Sequence, residues 1–256
     1  MGHNHNTSRD RVQRFTLFCL GACLISTAVV CGYLLGWTNH QSRQIAQTET
    51  EAIERMWDTP TPHLENSRIS GKTSSIKFGQ PEILTNPSVK SENRYSSLGI
   101  QQTKRGGFAL LYIPRIRQDV WGTPILQGVG RRQINAGIGH YPHSAMPGHK
   151  GTFTLVGHRA TYGAWFSHID ELRNGDSVIV RIHHRWFRYV LYHHAVVSPQ
   201  STWVLRAPTR FHHKIFSPKP MITLITCNPR WGSSERWIWW GKLIEQNNSA
   251  RYPYHH

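Results

Sequence analysis

The sequence predicts an all-β domain, a sandwich or a barrel, that follows one membrane-spanning helix. Short runs rich in Val, Ile, Thr, Tyr, Phe and Trp, separated by turn residues, fill residues 106–246 and are typical of strands. A single uninterrupted apolar stretch lies near the start of the chain. The formal net charge of +16 over 256 residues favours anionic surroundings such as phospholipid headgroups, wall polymers or nucleic acid.

The apolar stretch covers residues 15–37, FTLFCLGACLISTAVVCGYLLGW. A helix needs about 20 such residues to cross a bilayer, whereas the apolar core of a cleaved signal peptide is shorter. We therefore predict an uncleaved anchor. Arg9, Arg11 and Arg14 precede it, and the next basic residue is Arg43, so the positive-inside rule places residues 1–14 in the cytoplasm and the remainder outside the cell.

Residues 38–105 are polar and rich in Pro, Ser, Thr and Asn. Such a segment buries too little apolar surface to offset its ordering entropy. We predict a flexible extracellular stalk here, in which only QTETEAIERMW has the pattern of a short amphipathic helix. Residues 247–256 are predicted to form a C-terminal tail.

Within the β-rich region the strand-like runs are separated by two short segments with helical character. Turns are predicted at RNGD, residues 173–176, and at the histidine pair 183–184. The predicted helical turns are FSHIDEL and GRRQINAG, and the predicted strands are GFALLYIPRI, GTFTLVGH, DSVIVRI, RWFRYVLYHHAVV, MITLITC and RWIWWGKLIE.

Two predicted strands end at residues that can do acid–base or nucleophilic work, His158 and Cys227. Strand ends hold a side chain firmly while leaving it reachable. Arg236 follows the cysteine by nine positions, and its permanent charge suits it to stabilise a developing oxyanion. His158 is then the general acid and base, and Cys227 the nucleophile. Taken alone, a free cysteine at a strand end is more often a buried core residue.

In combination and in this order, these residues resemble the sortase family of cysteine transpeptidases. The family's T-L-x-T-C signature matches Thr223 to Cys227, and the segments LYIPRI and GIGHYPHSAMPG resemble its upstream motifs. The resemblance covers about residues 106–245 and implies a closed sortase-type barrel of about eight strands with one or two short helices. It implies His158, Cys227 and Arg236 as catalytic residues and no cofactor.

The nine-residue spacing and the HRATYG block are most similar to class E sortases, which favour an L-A-x-T-G signal over L-P-x-T-G. Tyr162 and Thr226 are candidates for the substrate pocket. The sequence departs from the class pattern at Trp165, where relatives have proline, and at His149 and Thr152 in PGHKGT. We expect both changes to lie in loops beside His158 and to alter substrate preference.

The resemblance implies a thioester mechanism. Cys227 attacks the Thr–Gly carbonyl of a C-terminal sorting signal, and an amine of a peptidoglycan precursor or a pilin lysine resolves the acyl-enzyme. The implied partners are surface proteins that carry such a signal, the amine acceptor and the membrane itself.

Other interpretations fit less well. The histidines lack a neighbouring cysteine or carboxylate cluster, so we expect no zinc or calcium site. An outward-facing domain rarely meets nucleic acid, so we expect no nucleic-acid partner. A hydrolytic cysteine peptidase of papain type places its Cys before its His, the reverse of this chain. The non-enzymatic alternative is a membrane-anchored β-domain for adhesion or assembly.

Overall fold

The computed structural model describes residues 6–59, 95, 98–205 and 219–254. In this part of the chain there are two α-helices and three short 3-10 helices around eight strands. The α-helices are α1 (Asn6–Asp58) and α2 (Arg131–Ile134), and the 3-10 helices are Pro114–Ile116, Ile169–Glu171 and Thr202–Leu205. The strands are β1 (Gly107–Tyr112), β2 (Trp121–Gln127), β3 (Ile138–His140), β4 (Gly151–Val156), β5 (Ser177–Ile182), β6 (Arg185–Val197), β7 (Pro220–Asn228) and β8 (Glu235–Asn248).

The eight strands close into one barrel in the order β1-β2-β3-β4-β7-β8-β6-β5. Neighbouring strands are antiparallel except for two parallel pairs, β2 with β3 and β4 with β7. The predicted closed barrel of about eight strands with short helices is confirmed. The individual strands β2 and β3 were not among the predicted runs, and they complete the closure.

The direction of the strands defines two ends of the barrel. Strands β4 and β7 finish at one end, which we call the His158 end. The tight turn between β5 and β6, at His183 and His184, lies at the other, which we call the His183 end. This turn and the one at residues 173–176 lie where the sequence predicted them.

The barrel interior is filled by large apolar side chains, and alternation along the strands decides which ones enter it. On β8, Trp239 is 1% exposed and packs in the central core, whereas Ile238 and Trp240 belong to a separate cluster outside the barrel wall. On β7, Leu224 faces the interior and Ile225 the outer cluster. Strand β8 therefore presents one face to the central core and the other to the outer cluster.

Helix α1 corrects the predicted stalk in part. The helix does not end with the apolar run but continues unbroken to Asp58. The part of α1 after Trp37, which we call the outer half, packs against β1 and β2. Its buried residues are spaced three or four apart and so lie on a single helical face. Half of this face is polar, which is why the apolar pattern did not reveal it. These buried residues are Ser42, Ala46, Glu49 and Ile53.

The inner half of α1 differs from the outer half. Among the described residues it is the one helix long and apolar enough to cross a membrane, with a mean hydropathy of 2.1 over its most apolar window, none of which is buried. The remainder of the predicted stalk, residues 60–94 with 96 and 97, lies outside the described residues.

The predicted C-terminal tail also needs correction. Strand β8 runs to Asn248, and the chain beyond it returns along the barrel wall. Trp186 donates a hydrogen bond from Nε1 to the carbonyl of Ser249 at 2.8 Å. Tyr252 and Tyr254 pack on the cluster that contains Trp186, so the tail covers apolar surface of the barrel.

Candidate active site

The parallel pair β4 and β7 brings the predicted nucleophile and base together. The ladder pairs Val156 with Ile225 in its last rung. Because the strands run in the same direction, the next residues along each chain stay side by side, and two steps further the same register sets His158 beside Cys227. Cys227 is half-buried and is a free thiol.

Hydrogen bonds just before this pair fix the register. The amide of Gly157 donates to the carbonyl of Ile225 at 3.1 Å. The hydroxyl of Thr226 donates to the carbonyl of Gly157 at 2.8 Å. Thr226 is 1% exposed, so the prediction that its side chain contacts substrate is not supported. Instead it ties the strand of Cys227 to the strand of His158.

A second tie lies just after the pair. Arg159 donates from Nη1 to Oδ1 of Asn228 at 2.5 Å, which joins the residue after His158 to the residue after Cys227. The guanidinium of Arg159 is 5% exposed, lies 3.4 Å from a carboxylate oxygen of Asp170 and covers the ring of Trp237 at 5.2 Å. The buried charge is therefore paired, and the two residues predicted to react are held from both sides.

Arg236 faces Cys227 across the antiparallel pair β7 and β8. The two residues are direct register partners, a relation that places Cβ atoms about 4.5–5.5 Å apart. Nη1 of Arg236 donates to the carbonyls of Ser233 at 2.9 Å and Glu235 at 2.8 Å. These bonds turn the guanidinium toward the β7–β8 loop.

His158 is oriented by a residue that the sequence did not single out. Its Nε2 lies 2.8 Å from Oδ1 of Asn135, the C-cap residue directly after α2. Since the amide oxygen only accepts, this ring nitrogen carries the proton, and Nδ1 is the nitrogen that can face a thiol or a substrate. Burial, and to a smaller extent the charge of Arg131, lower the pKa of His158 below its ordinary value of 6.5.

The loop after His158 contains the predicted pocket residue Tyr162. Its ring centroid lies 5.3 Å from that of His158, and the side chain is 40% exposed. Tyr162, Gly163 and Ala164 all have positive φ, at 48°, 90° and 49°, a conformation that costs energy for the two residues with side chains. The loop therefore needs outside support to keep this shape.

That support comes from α1. Nδ2 of Asn39 donates to the carbonyl of Ala160 at 3.3 Å, and Oδ1 accepts from the amide of Gly163 at 3.0 Å. Asn39 follows the apolar run by two residues. The end of the predicted anchor is thus bonded directly to the loop beside His158.

The two departures from the class pattern lie in different places. Trp165 is near the site as expected, but it is 3% exposed, packs in the core and lies under Arg43 of α1 at 5.6 Å. Thr152 is the second residue of β4 and bonds Thr223 through the hydroxyl oxygens at 2.6 Å. It stands about 20 Å along the strand from His158, so the expectation that this change lies beside the histidine is wrong.

The described residues also show whether a metal ion could bind. Across residues 6–59, 95, 98–205 and 219–254, no group of three or more His, Cys, Asp or Glu side chains could hold a metal ion.

Three residues around the site, Asn135, Arg159 and Asn228, were not predicted from the sequence. For Arg159 and Asn228 a signal existed, because each directly follows a predicted reactive residue at a strand end.

Comparison with known proteins agrees with this geometry. The sortase domain family matches residues 111–244, more than half of the chain. The chain belongs to the sortase family. The members of this family are cysteine transpeptidases, and the matched range contains the parallel pair and the strand of Arg236.

Class E sortases are among the similar proteins. Sortase SrtE1 of Streptomyces coelicolor is 35% identical over 152 residues, 57% of this chain and 42% of that protein's length. The structure of sortase E from Streptomyces avermitilis has 34% identity and a TM-score of 0.51, covering 57% of this chain and 93% of that one. Sortase E1 from S. coelicolor, solved with a tripeptide in the active site, has 34% identity and a TM-score of 0.51, covering 58% and 94%.

Proposed function

We propose that this sortase is a membrane-anchored transpeptidase that cleaves a sorting signal of L-A-x-T-G or L-P-x-T-G type between Thr and Gly. The observation that carries the proposal is the pair of ties, Thr226 to Gly157 and Arg159 to Asn228, on either side of His158 and Cys227. A buried structural cysteine needs no such arrangement. The tripeptide in the active site of sortase E1 from S. coelicolor supports a peptide substrate.

In the first half-reaction His158 takes the thiol proton of Cys227 at Nδ1, and the resulting thiolate attacks the Thr carbonyl carbon and forms a C–S bond. The negative charge moves to the carbonyl oxygen, where the guanidinium of Arg236 stabilises it. The intermediate collapses, the C–N bond to glycine breaks, and His158 donates a proton to the leaving amine. The product is a thioester between Cys227 and the Thr carbonyl.

In the second half-reaction an amine attacks the thioester carbon, and His158 accepts its proton. The C–S bond breaks and Cys227 returns as thiolate, with a new amide as product. The amine of a peptidoglycan precursor or of a pilin lysine is the acceptor we propose. Arg236 stabilises the same oxygen in both halves, because the carbonyl does not leave the site.

We further propose that α1 anchors the enzyme with residues 1–14 in the cytoplasm and the barrel outside the cell. The support is the unburied apolar half of the helix and the arginines that precede it, Arg9, Arg11 and Arg14. Substrates held by their own apolar tails would then share one surface with the enzyme.

The test uses the full chain in detergent with L-A-x-T-G and L-P-x-T-G peptides, each with and without a glycine-based amine acceptor. Mass spectrometry should show cleavage between Thr and Gly, a Cys227 acyl adduct without acceptor, and the transfer product with it. A chain with Cys227→Ala is the control. Failure to cleave either peptide, or cleavage that persists in the control, would overturn the proposed function.

A further inference from the structure

The barrel has a defined orientation relative to the apolar half of α1, because the helix is continuous. Asn39 bonds the loop at the His158 end, and the carbonyl of Trp57 accepts from Nε2 of His183 at 3.0 Å at the other end. From Asn39 to Trp57 the helix rises about 27 Å. The outer half of α1 therefore spans the barrel from end to end, and the His158 end is the one nearest the apolar run.

The distance between that end and the apolar run is small. Asn39 follows Trp37, the last residue of the run, by two positions, a rise of about 3 Å. The headgroup layer on each side of a bilayer is about 5–7 Å thick. The loop bonded by Asn39 therefore lies at the level of the lipid headgroups whenever residues 15–37 cross the membrane.

The exposed apolar side chains agree with this placement. Outside α1, and among the described residues, the most exposed large apolar side chain is Trp231 at 70%. It lies in the β7–β8 loop at the His158 end. Tyr162 at 40% and Val196 at 42% are exposed at the same end. Tryptophan and tyrosine are enriched at the boundary between membrane and water, where one side of the ring is apolar and the other wet.

The charges at this end also suit a membrane surface. Arg131, Arg132 and Arg230 are exposed there, and Arg230 lies 5.9 Å from the ring of Trp231 while donating to the hydroxyl of Ser167. The nearby carboxylates of Asp170 and Glu235 already bond Arg159 and Asn228. Exposed arginines next to an exposed indole attract and hold an anionic lipid surface.

We propose that the His158 end of the barrel rests on the outer surface of the bilayer, with Trp231 inserted among the lipid headgroups. The proposal rests on the anchor described under Proposed function and adds the direction in which the catalytic end points. Cys227 then opens toward the membrane surface, where a sorting signal held by an apolar tail presents its scissile bond.

The first experiment is lipid photo-crosslinking of the full chain in phosphatidylglycerol and phosphatidylcholine vesicles. Three variants carry p-benzoylphenylalanine: Trp231→p-benzoylphenylalanine, Leu24→p-benzoylphenylalanine in the apolar run, and His184→p-benzoylphenylalanine at the exposed turn of the His183 end. After irradiation, mass spectrometry should find lipid adducts at positions 24 and 231 and none at 184. An adduct at 24 without one at 231 overturns the orientation, whereas no adduct at 24 overturns the anchor itself.

The second experiment measures turnover with one sorting-signal peptide in two forms, free in solution and tethered to the vesicle by an acyl chain. Trp231→Ala should lower kcat/KM severalfold for the tethered peptide and leave the free peptide unchanged. Ile244→Ala, at an exposed site on β8, is the matched control and should change neither. An equal loss with both peptides would place Trp231 in substrate binding or folding and overturn the bilayer contact.

Discussion

The barrel buries apolar side chains on two parts of its outer wall, and the two are covered in different ways. One part, around Trp186, is closed by α1 and the C-terminal tail. The other, around Trp240, is covered by the short 3-10 helix Thr202–Leu205 and by stacking of His193 and Trp203 on the Trp240 ring at 5.5 and 5.9 Å. It ends at the half-buried Cys227.

We infer that the part of the wall around Trp186 mainly stabilises the barrel, whereas the part around Trp240 lies beside the residues proposed to react. The wall around Trp186 is covered by long segments of chain, so we expect its side chains to contribute burial energy and not to contact substrate. Beside Cys227, among the described residues, hydrogen bonds from Thr226 and Arg159 hold the neighbours of His158 and Cys227 together. Substitutions in the first wall should change folding, and substitutions beside Cys227 should change turnover.

The largest effect is expected at the nucleophile. Cys227→Ala should reduce transpeptidation by about 10⁴-fold or more, since removal of a covalent nucleophile leaves only binding and oxyanion stabilisation. The thermal midpoint should stay close to that of the parent chain, because the thiol is half-buried and unpaired. Activity is measured by mass spectrometry, and the thermal midpoint is measured by circular dichroism. A large fall in the thermal midpoint would mean that Cys227 mainly stabilises the fold.

The opposite outcome is expected for the sealed wall. Trp186 is 2% exposed and donates to Ser249, so Trp186→Ala should lower the free energy of unfolding by about 3–5 kcal/mol. Denaturant titration measures this change. At a temperature where the variant is folded, kcat/KM should match the parent, and a drop beyond the loss of folded protein would show that the two walls are coupled.

A smaller effect is expected at Asn135, which positions His158. Asn135→Ala removes the acceptor for Nε2 and should lower kcat/KM about tenfold or more, because the ring loses its fixed orientation. Asn135→Asp restores an acceptor and should recover part of the rate, while its negative charge raises the pKa of His158 and moves the pH profile upward. An aspartate variant that loses as much activity as the alanine variant, with no shift in its pH profile, would argue for a merely structural role.

The smallest effect concerns pH. Arg131 helps to hold the pKa of His158 below 6.5, so Arg131→Gln should raise that pKa and move the corresponding limb of the kcat/KM profile to higher pH. Because the folded-state pKa is depressed, protonation below about pH 6.5 favours unfolding, and the variant should lose less stability in acid. Arg132→Gln, the neighbouring exposed arginine, is the control. Equal shifts in both variants would point to net charge instead of a specific neighbour.

Much of this was predictable from the sequence, and the exceptions have physical causes. Strands β1, β4, β5, β6, β7 and β8 show continuous apolar or alternating runs, so the sequence predicts these strands and the candidate reactive residues at two of their ends. Strand β2 contains Gly122 and Pro124, residue types that are typical of turns. Strand β3 has only three residues, too few for a recognisable pattern. Both strands depend on neighbours that sequence patterns do not show.

The extension of α1 and the ties around the site were missed for related reasons. The buried face of the helix includes Ser42 and Glu49, and the carboxylate of Glu49 accepts from the hydroxyl of Thr103. Most buried polar side chains have a hydrogen-bond partner, and no local sequence pattern names that partner when it is distant along the chain. The same holds for Asn135 with His158, which come from different elements.

The parallel ladder between β4 and β7 has a consequence for how such enzymes can vary. Gly157 and Thr226 are 69 residues apart in the sequence. Their strands nevertheless finish at the same end of the barrel and stay in register. The intervening chain, with β5, β6 and the segment after Leu205, can lengthen or shorten without shifting the histidine against the thiol. Substrate choice can therefore change by remodelling connections, while the reacting atoms keep their spacing.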